Sequence, residues 1–197
     1  MAGEPAAFGA SVIPRLEPLV RAVAAEAVER IRIGGVVDFC EAAGTRIPAA
    51  ALAELLGLDA RLSNQMQRWA AHIQSVNPGI SPEHVAEVRE TIKAMTGYFV
   101  DVIEARRKAP KDDLVSELLV AQIDGVALTQ DEIVSSLALL VVAGLETTIH
   151  LLSNTAHLLM HHPDVHDRVR RDPALIPALI AMCSASAPTG TYTPRLR

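Results

Sequence analysis

The sequence has few aromatic residues, few cysteines and no excess of positive charge, and each absence argues against a class of protein. Phe, Trp and Tyr make up 3% of the 197 residues, which disfavours a sheet sandwich and favours an alanine- and leucine-rich helical protein. The two cysteines, Cys40 and Cys183, stand in different contexts and suggest neither a disulfide framework nor a metal knuckle. We expect both to be reduced thiols.

The charge and the first residues indicate which partners and which compartment to expect. A formal net charge of −5 argues against nucleic acid as a partner. The segment Met1–Pro5 has neither the basic start nor the hydrophobic core of a signal peptide, so we expect a cytoplasmic protein. Half of the residues are hydrophobic, which suits one soluble globular domain or a large part of one.

Apolar residues recur at helical spacing after Thr129 and predict one long helix. Thr129 and Glu132 have the spacing of a capping box, which marks a helix N-terminus. Nothing breaks the pattern before Pro163, so the helix has about 33 residues and a length of roughly 50 Å. Its uncharged run, residues 133–145, has 13 residues, fewer than the roughly 20 that cross a bilayer. We therefore expect a buried core helix and no membrane association.

The midpoint of this helix contains residue types that an apolar helix disfavours. Gly144 costs about 1 kcal/mol relative to alanine, and a buried Glu146 carboxylate needs a partner. The small Ala143 and Gly144 would let a flat ligand lie against the backbone. Glu146 and Thr147 add an acid and a hydroxyl, which are the components of a short proton relay. Thr147 can also bond the carbonyl one turn earlier and loosen the helix.

The same residues also have a purely structural interpretation. In it, Ala143 and Gly144 let the helix pack closely on a neighbour, and Thr147 and Thr148 bond their own backbone. Spacing alone leaves both interpretations open.

The sequence around this midpoint resembles the central helix of the bacterial cytochrome P-450 family of haem-thiolate monooxygenases. The family pattern is Ala-Gly-x-Asp/Glu-Thr-Thr, which Ala143–Thr148 matches, and Leu158–Asp164 resembles its continuation. The resemblance implies a mainly α fold, the central helical portion of the P-450 fold, organised around one long helix at about residues 130–162. It also implies a haem (heme) cofactor that lies against this helix.

The resemblance assigns roles to individual residues of the midpoint. Ala143, Gly144 and Thr148 would border the haem and its oxygen pocket. Glu146 would be the acid, and Thr147 the hydroxyl that manages proton delivery during oxygen activation. These two are the expected catalytic residues.

Further segments match the family in the expected order. One resembles a family helix that ends Ala-Glu-Leu-Leu-Gly, here Ala53–Gly57, and another resembles the Asp-Asp-Leu-x-Ser-x-Leu segment before the long helix. The resemblance implies that two helices between these matches form a mobile lid over the substrate pocket. Helices are predicted at Leu19–Ile33, Pro48–Leu56, Leu62–Val76, Ser81–Lys108 and Lys111–Leu119, with a turn at Asp124–Gly125.

Three histidines near the end of the long helix share one face. His157 and His161 have the i, i+4 spacing of a metal pair, and His150 lies seven residues before His157. A His-Glu-x-x-His arrangement is missing, and the helix end is expected to be solvated. We therefore predict no metal site from the sequence.

The resemblance covers about residues 8–180, so residues 1–180 are interpreted as a partial P-450 domain and 181–197 as a non-family tail, expected to be disordered. The family implies a Glu-x-x-Arg helix after Ile180 and a glycine-rich loop whose cysteine thiolate ligates iron. Neither Cys40 nor Cys183 has such surroundings, so we expect this polypeptide alone to be inactive as a monooxygenase. A frameshift near Met182 is one hypothesis for the tail; a designed boundary or a degenerate gene explains it equally well.

The sequence therefore predicts a fragment of a P-450 monooxygenase. The parent would insert one atom of O2 into a small organic substrate, with electrons from a ferredoxin-type redox partner. The alternative is a haem-free P-450-like helper or binding protein for a partner enzyme, which predicts a stable complex without haem uptake. A third option is a non-functional reading frame that exposes apolar surface and aggregates. Glu146 and Thr147 favour the first, because a helper needs no proton relay.

Overall fold

The computed structural model of the protein describes residues 12–185 and 195–196, and this part of the chain is mainly α-helical, as predicted. Four two-residue strands accompany the helices and form two antiparallel pairs, β1 with β4 and β2 with β3. The helices are α1 (Val12–Gly34), α2 (Arg46–Leu55), α3 (Ser63–Gln74), α4 (Pro82–Lys108), α5 (Leu114–Val120), α6 (Gln130–His161), α7 (Pro163–Arg171) and α8 (Ile176–Ala185). The strands are β1 (Val37–Asp38), β2 (Gln122–Ile123), β3 (Val126–Ala127) and β4 (Arg195–Leu196).

The long helix α6 has 32 residues and begins at the predicted capping box. The backbone N–H of Thr129 donates to Glu132 Oε2 at 2.7 Å, and the N–H of Glu132 donates to Thr129 Oγ1 at 3.3 Å. The helix ends at His161, directly before the proline-initiated α7. Local signals at both ends therefore set its length.

Helices α2, α3, α4, α5 and α8 pack against α6, and most of the core lies between the first four and α6. Met66 and Trp69 of α3 are buried, and Ile73 packs against the core partly exposed. The buried residues of α6 that face this core are Ile133, Val134, Leu137, Val141 and Leu145. Met95, Phe99 and Ile103 of α4 meet them.

The expectation of a buried core helix holds for one face of α6 only. Leu139 is 66% exposed, and Ser135, Ala143 and Thr147 are exposed at the same four-residue interval. By length and mean hydropathy α6 also meets the criterion for a membrane-spanning helix, which core helices of soluble proteins meet as well. Apolar composition alone could not show that the described helices cover just one side.

The first helix is longer than predicted, and the last one extends into the segment expected to be a tail. Helix α1 starts at Val12 rather than Leu19 and contains Pro18, which removes one internal hydrogen bond without ending the helix. Helix α8 continues to Ala185, five residues past the expected boundary at 180, because Leu179 and Cys183 repeat at helical spacing and are both buried. Within the predicted tail, residues 186–194 and 197 lie outside the described residues, as does the predicted start of the domain before residue 12.

A buried ion pair joins the end of α2 to α4 and α5. Arg106 Nε donates to Asp113 Oδ2 at 2.5 Å, and Arg106 Nη2 donates to the carbonyl of Gly57 at 2.6 Å. Asp113 is the N-cap of α5, and its Oδ1 accepts hydrogen bonds from the N–H and hydroxyl of Ser116. The side chains of Arg106 and Asp113 are 8% and 1% exposed. The cluster connects three elements, and loss of either charged partner would leave the other buried and unpaired.

Candidate functional site

The midpoint of α6 stays helical, and its two threonines bond the backbone one turn earlier. Thr147 Oγ1 donates to the carbonyl of Ala143 at 2.7 Å, and Thr148 Oγ1 donates to that of Gly144 at 2.9 Å. Each hydroxyl has a single hydrogen, so its oxygen is left as an acceptor only. This agrees with one half of the structural interpretation of these residues.

A third side chain bonds the backbone at the same place. Gln74, the last residue of α3, donates from Nε2 to the carbonyl of Val142 at 2.8 Å. Three successive carbonyls, those of Val142, Ala143 and Gly144, therefore each accept a side-chain hydrogen bond. Such bonds compete with the helical ladder and loosen it locally. Sequence reasoning missed Gln74, because only tertiary packing brings it to α6.

The other half of the structural interpretation, close packing through the small residues, does not hold among the described residues. A Cβ atom added to Gly144 would meet nothing within 4 Å. Ala143 is exposed. The small side chains therefore leave an open strip of helix surface rather than a contact with a neighbouring helix.

Glu146 and Thr147 are neighbours in sequence but lie in different surroundings. Glu146 borders a cavity of about 140 Å³ between α3 and α6, whereas Thr147 is on the exposed face. Glu146 Oε1 lies 3.7 Å from Nε2 of His150, and the two side chains are 40% and 35% exposed. The other residues that line the cavity are Gln67, Ala70, Ala71, Leu145 and Ile149.

Both cysteines are free thiols in packed regions. Cys40 Sγ lies 3.0 Å from Oγ of Ser153, which is on the buried side of α6, and Cys183 is 3% exposed. Neither thiol belongs to the open strip at the midpoint.

The three histidines of α6 that share one face in the sequence do not form a single group in the structure. His150 pairs with Glu146, while the rings of His157 and His161 lie 4.0 Å apart and His161 Nδ1 is 2.9 Å from the carbonyl of His157. Partial burial lowers the pKa of His157, and the neighbouring imidazoles of His161 and His162 lower it further.

Comparisons with known proteins agree with this fold. The Cytochrome P450 family profile matches residues 51–174, which include the whole midpoint of α6. The solved ligand-free structure of cytochrome P450 TbtJ1 superimposes with a TM-score of 0.80 at 31% identity, covering 90% of this chain and 47% of that one. The fold is thus that of the central helical part of a haem-thiolate protein, and the chain belongs to the cytochrome P450 family.

Two curated relatives show what share of a cytochrome P450 this chain covers. The 6-deoxyerythronolide B hydroxylase of Saccharopolyspora erythraea is 31% identical over 84% of this chain and 40% of its own length. The cyclomarin C epoxidase CymV of Salinispora arenicola is 34% identical over 88% of this chain and 44% of its own length. The chain therefore spans less than half the length of these relatives.

Proposed function

We propose that this chain forms the oxygen-side wall of the haem pocket of a cytochrome P450 monooxygenase. The parent would act in the cytoplasm, insert one atom of O2 into a small organic substrate and receive electrons from a ferredoxin-type partner. Family membership and the names of the relatives, a hydroxylase and an epoxidase, support the reaction class. The observation that carries the proposal is the open strip at Ala143 and Gly144 beside two threonines bonded to the backbone.

The residues of the strip fit one face of a haem. Ala143 presents only a methyl group, Gly144 has free space where a side chain would stand, and Thr148 lies one turn after Gly144. These three would border the macrocycle, which when bound supplies the dioxygen and electron-transfer chemistry. Cys40 contacts Ser153 and Cys183 is buried, so we assign neither thiol a role in holding the haem.

Glu146 and Thr147 have complementary parts in proton supply. Glu146, 40% exposed beside a cavity, is able to exchange protons with solvent. Thr147 Oγ1 is available as an acceptor on the exposed face, because its own hydrogen is donated to Ala143. Release of that bond turns Thr147 into a donor toward the pocket, so the relay runs from solvent through Glu146 and water to Thr147.

The first experiment is to sequence the DNA from codon 175 to several hundred bases past codon 197 and to translate all three frames. A frame with Glu-x-x-Arg and a glycine-flanked cysteine supports the proposal. The protein made by fusing this chain in frame to that downstream sequence, here called the joined product, should then give a thiolate-type carbon monoxide difference spectrum. If every frame lacks these motifs, the helper or binding function replaces this proposal. The chain alone, mixed with hemin, should give no thiolate-type band, and such a band would contradict the expected inactivity.

The role of Thr147 is then testable in the joined product. Thr147→Val should lower product formation by about 100-fold or more while oxygen is still consumed, since general acid–base catalysis contributes on the order of 10²–10⁴-fold. Thr155→Val is the matched control, because Thr155 Oγ1 donates to the carbonyl of Leu151 at 2.7 Å in the same way. Equal losses in both variants would show that the backbone bond, not the relay, matters.

A further inference from the structure

A group of two histidines and one glutamate lies where α3 and α4 meet, apart from the haem-facing strip. His72 is near the end of α3, and His84 and Glu87 are in the first turns of α4. The two imidazole rings are 5.1 Å apart, and one ligand atom from each of the three side chains lies within 4.8 Å of the others. Their side chains come from two helices joined by the loop 75–81.

The hydrogen bonds around His72 are compatible with one tautomer in particular. Thr91 Oγ1 lies 3.1 Å from the carbonyl of Glu87, to which its hydroxyl donates. The same oxygen lies 2.6 Å from His72 Nδ1, and with the hydroxyl hydrogen directed at Glu87 we assign the hydrogen of that second bond to Nδ1. In the neutral ring Nε2 is then an unprotonated donor of an electron pair, 4.0 Å from Glu87 Oε2.

His84 is assigned in the complementary way. Ser75 Oγ donates its hydrogen to the carbonyl of His72 at 2.6 Å and lies 2.6 Å from His84 Nε2. With that hydrogen directed at His72, we assign the ring hydrogen of His84 to Nε2, and Nδ1 then presents its electron pair to Glu87 Oε2 at 3.2 Å.

When both rings are neutral, His72 Nε2, His84 Nδ1 and Glu87 Oε2 therefore direct electron pairs at one another with no hydrogen between them. A cation placed among the three atoms would accept these electron pairs. We propose that His72, His84 and Glu87 bind a divalent transition-metal ion, with Zn²⁺ as the best match for two imidazoles and a carboxylate. Each imidazole ligand donates its other N–H to a hydroxyl, and that hydroxyl is anchored on a backbone carbonyl, which is how metal-binding histidines are usually oriented.

The distances suit such an ion after a small adjustment. Zn–N and Zn–O bonds of about 2.0–2.1 Å in a tetrahedron place ligand atoms roughly 3.3 Å apart. His84 Nδ1 is already 3.2 Å from Glu87 Oε2, and His72 Nε2 is 4.0 Å from the same oxygen. Side-chain rotations that move these atoms by about 1 Å would therefore close the site around an ion. Glu87 is exposed, which leaves a fourth position for water.

A bound ion would tie the end of α3 to the start of α4. The loop between them contains Asn77, Pro78 and Gly79, all exposed. The ion would therefore decide how freely this helix–loop–helix opens. This effect is independent of haem, so it is testable on the chain by itself.

The test is a Co²⁺ titration of the metal-free chain, followed by its visible absorption. We expect one ion per chain, the intense d–d bands of tetrahedral Co²⁺, and displacement by Zn²⁺. His72→Ala and His84→Ala should each weaken binding by about 100-fold or more, and Thr91→Val by about 10–100-fold, the range for outer hydrogen-bond partners of metal ligands. His166→Ala is the matched control, because His166 Nδ1 also lies beside a carboxylate, at 3.5 Å from Asp167.

Several outcomes would overturn the proposal. Weak spectra of the octahedral type would show that the ion is held elsewhere. The same conclusion would follow if His72→Ala and His84→Ala left the affinity for Co²⁺ unchanged, or lowered it no more than His166→Ala does. Failure of the wild-type chain to bind Co²⁺ or Zn²⁺ would overturn the proposal directly. Far-UV circular dichroism of each variant separates lost ligation from lost folding, and Zn²⁺ should slow proteolysis at residues 77–80 only in chains that keep both histidines.

Discussion

Gly57 and Gly144 are both glycines, but the space around a Cβ atom is filled at Gly57 and open at Gly144. A Cβ atom at Gly57 would lie 2.1 Å from Asp113 Oδ2, whereas one at Gly144 would meet nothing within 4 Å. Gly57 also has a φ of +63°, and it ends α2 with bonds from its own N–H to Glu54 O and from Leu58 N–H to Ala53 O. The fold alone accounts for Gly57. It gives no packing reason for Gly144, and this difference separates a structural glycine from a candidate functional one.

The polar side chains near the two glycines also differ, because those near Gly57 are buried and those near Gly144 contact solvent. Near Gly57, Arg106 and Asp113 are buried and bonded to each other and to the backbone. Near Gly144, the polar side chains Glu146 and Thr147 keep contact with solvent. A closed network stabilises the fold and resists change, whereas an open one is free to bind and react.

The largest effect is expected at the closed network. Asp113→Ala leaves the Arg106 charge buried without its partner and should lower the free energy of unfolding by about 3–5 kcal/mol. Asp112→Ala is the control, because its carboxylate is 84% exposed and pairs with Arg15 at 2.9 Å, so the loss should stay below about 1 kcal/mol. Urea unfolding of both variants checks this, and equal losses would show that the network is not the stabilising element.

Gly57→Ala should come next, at about 2–4 kcal/mol. The left-handed backbone costs roughly 1–2 kcal/mol for a residue with a Cβ, and displacement of Asp113 adds to it. Gly35→Ala isolates the first part, because Gly35 has a φ of +70° and free space around its Cβ position. If thermal unfolding gives the same loss for both variants, the contact with Asp113 contributes nothing.

Gly144→Ala should act in the opposite direction and raise the free energy of unfolding by up to about 1 kcal/mol, because alanine favours a helix more than glycine does. Gly97→Ala in α4 should give a similar gain, since its Cβ would also meet nothing within 4 Å. In a joined, haem-containing product, only Gly144→Ala should weaken haem or oxygen binding. A loss of stability at Gly144 would mean that its space is filled.

The smallest effect concerns the exposed start of α6. The hydrogen bond from the Thr129 N–H, and then that from its hydroxyl, lower the pKa of Glu132. A carboxyl whose pKa is lower in the folded state contributes stability that is full above its unfolded pKa, about 4.3, and is lost as the pH falls through the folded value. Glu132→Gln should therefore flatten the fall in Tm below about pH 5. A pH profile that stays unchanged would contradict the capping role.

Local signals allowed much of this fold to be predicted from the sequence. The capping box and the proline after α6 gave its ends to within one residue, and Asp124–Gly125 forms the predicted turn, with φ values of 52° and 81°. The pairing of β1 with β4 was not predicted, because each strand has two residues and its partner is far away in the sequence. The early start of α1 was also missed, since Pro14 and Pro18 argued against a helix there.

The sequence singles out the segment of the candidate site, but the surroundings of that segment were not predictable. The residue types of Ala143–Thr148 break the rules of an apolar helix, and that is visible in the sequence. The bond from Gln74 to Val142 and the separate environments of Glu146 and Thr147 depend on how α3 packs on α6. The group of His72, His84 and Glu87 was missed for the same reason, because periodicity within one helix cannot detect ligands that two helices share.

The position of α6 in the chain has a consequence for synthesis on the ribosome. Helices α2, α3 and α4 pack their apolar faces on α6, but all three leave the ribosome before it. Translation of the 32 residues of α6 takes about 2–6 s at a rate of roughly 5–20 residues per second. During that interval the nascent chain presents uncovered apolar helices, so its yield in a cell should depend on chaperones that bind emerging chains.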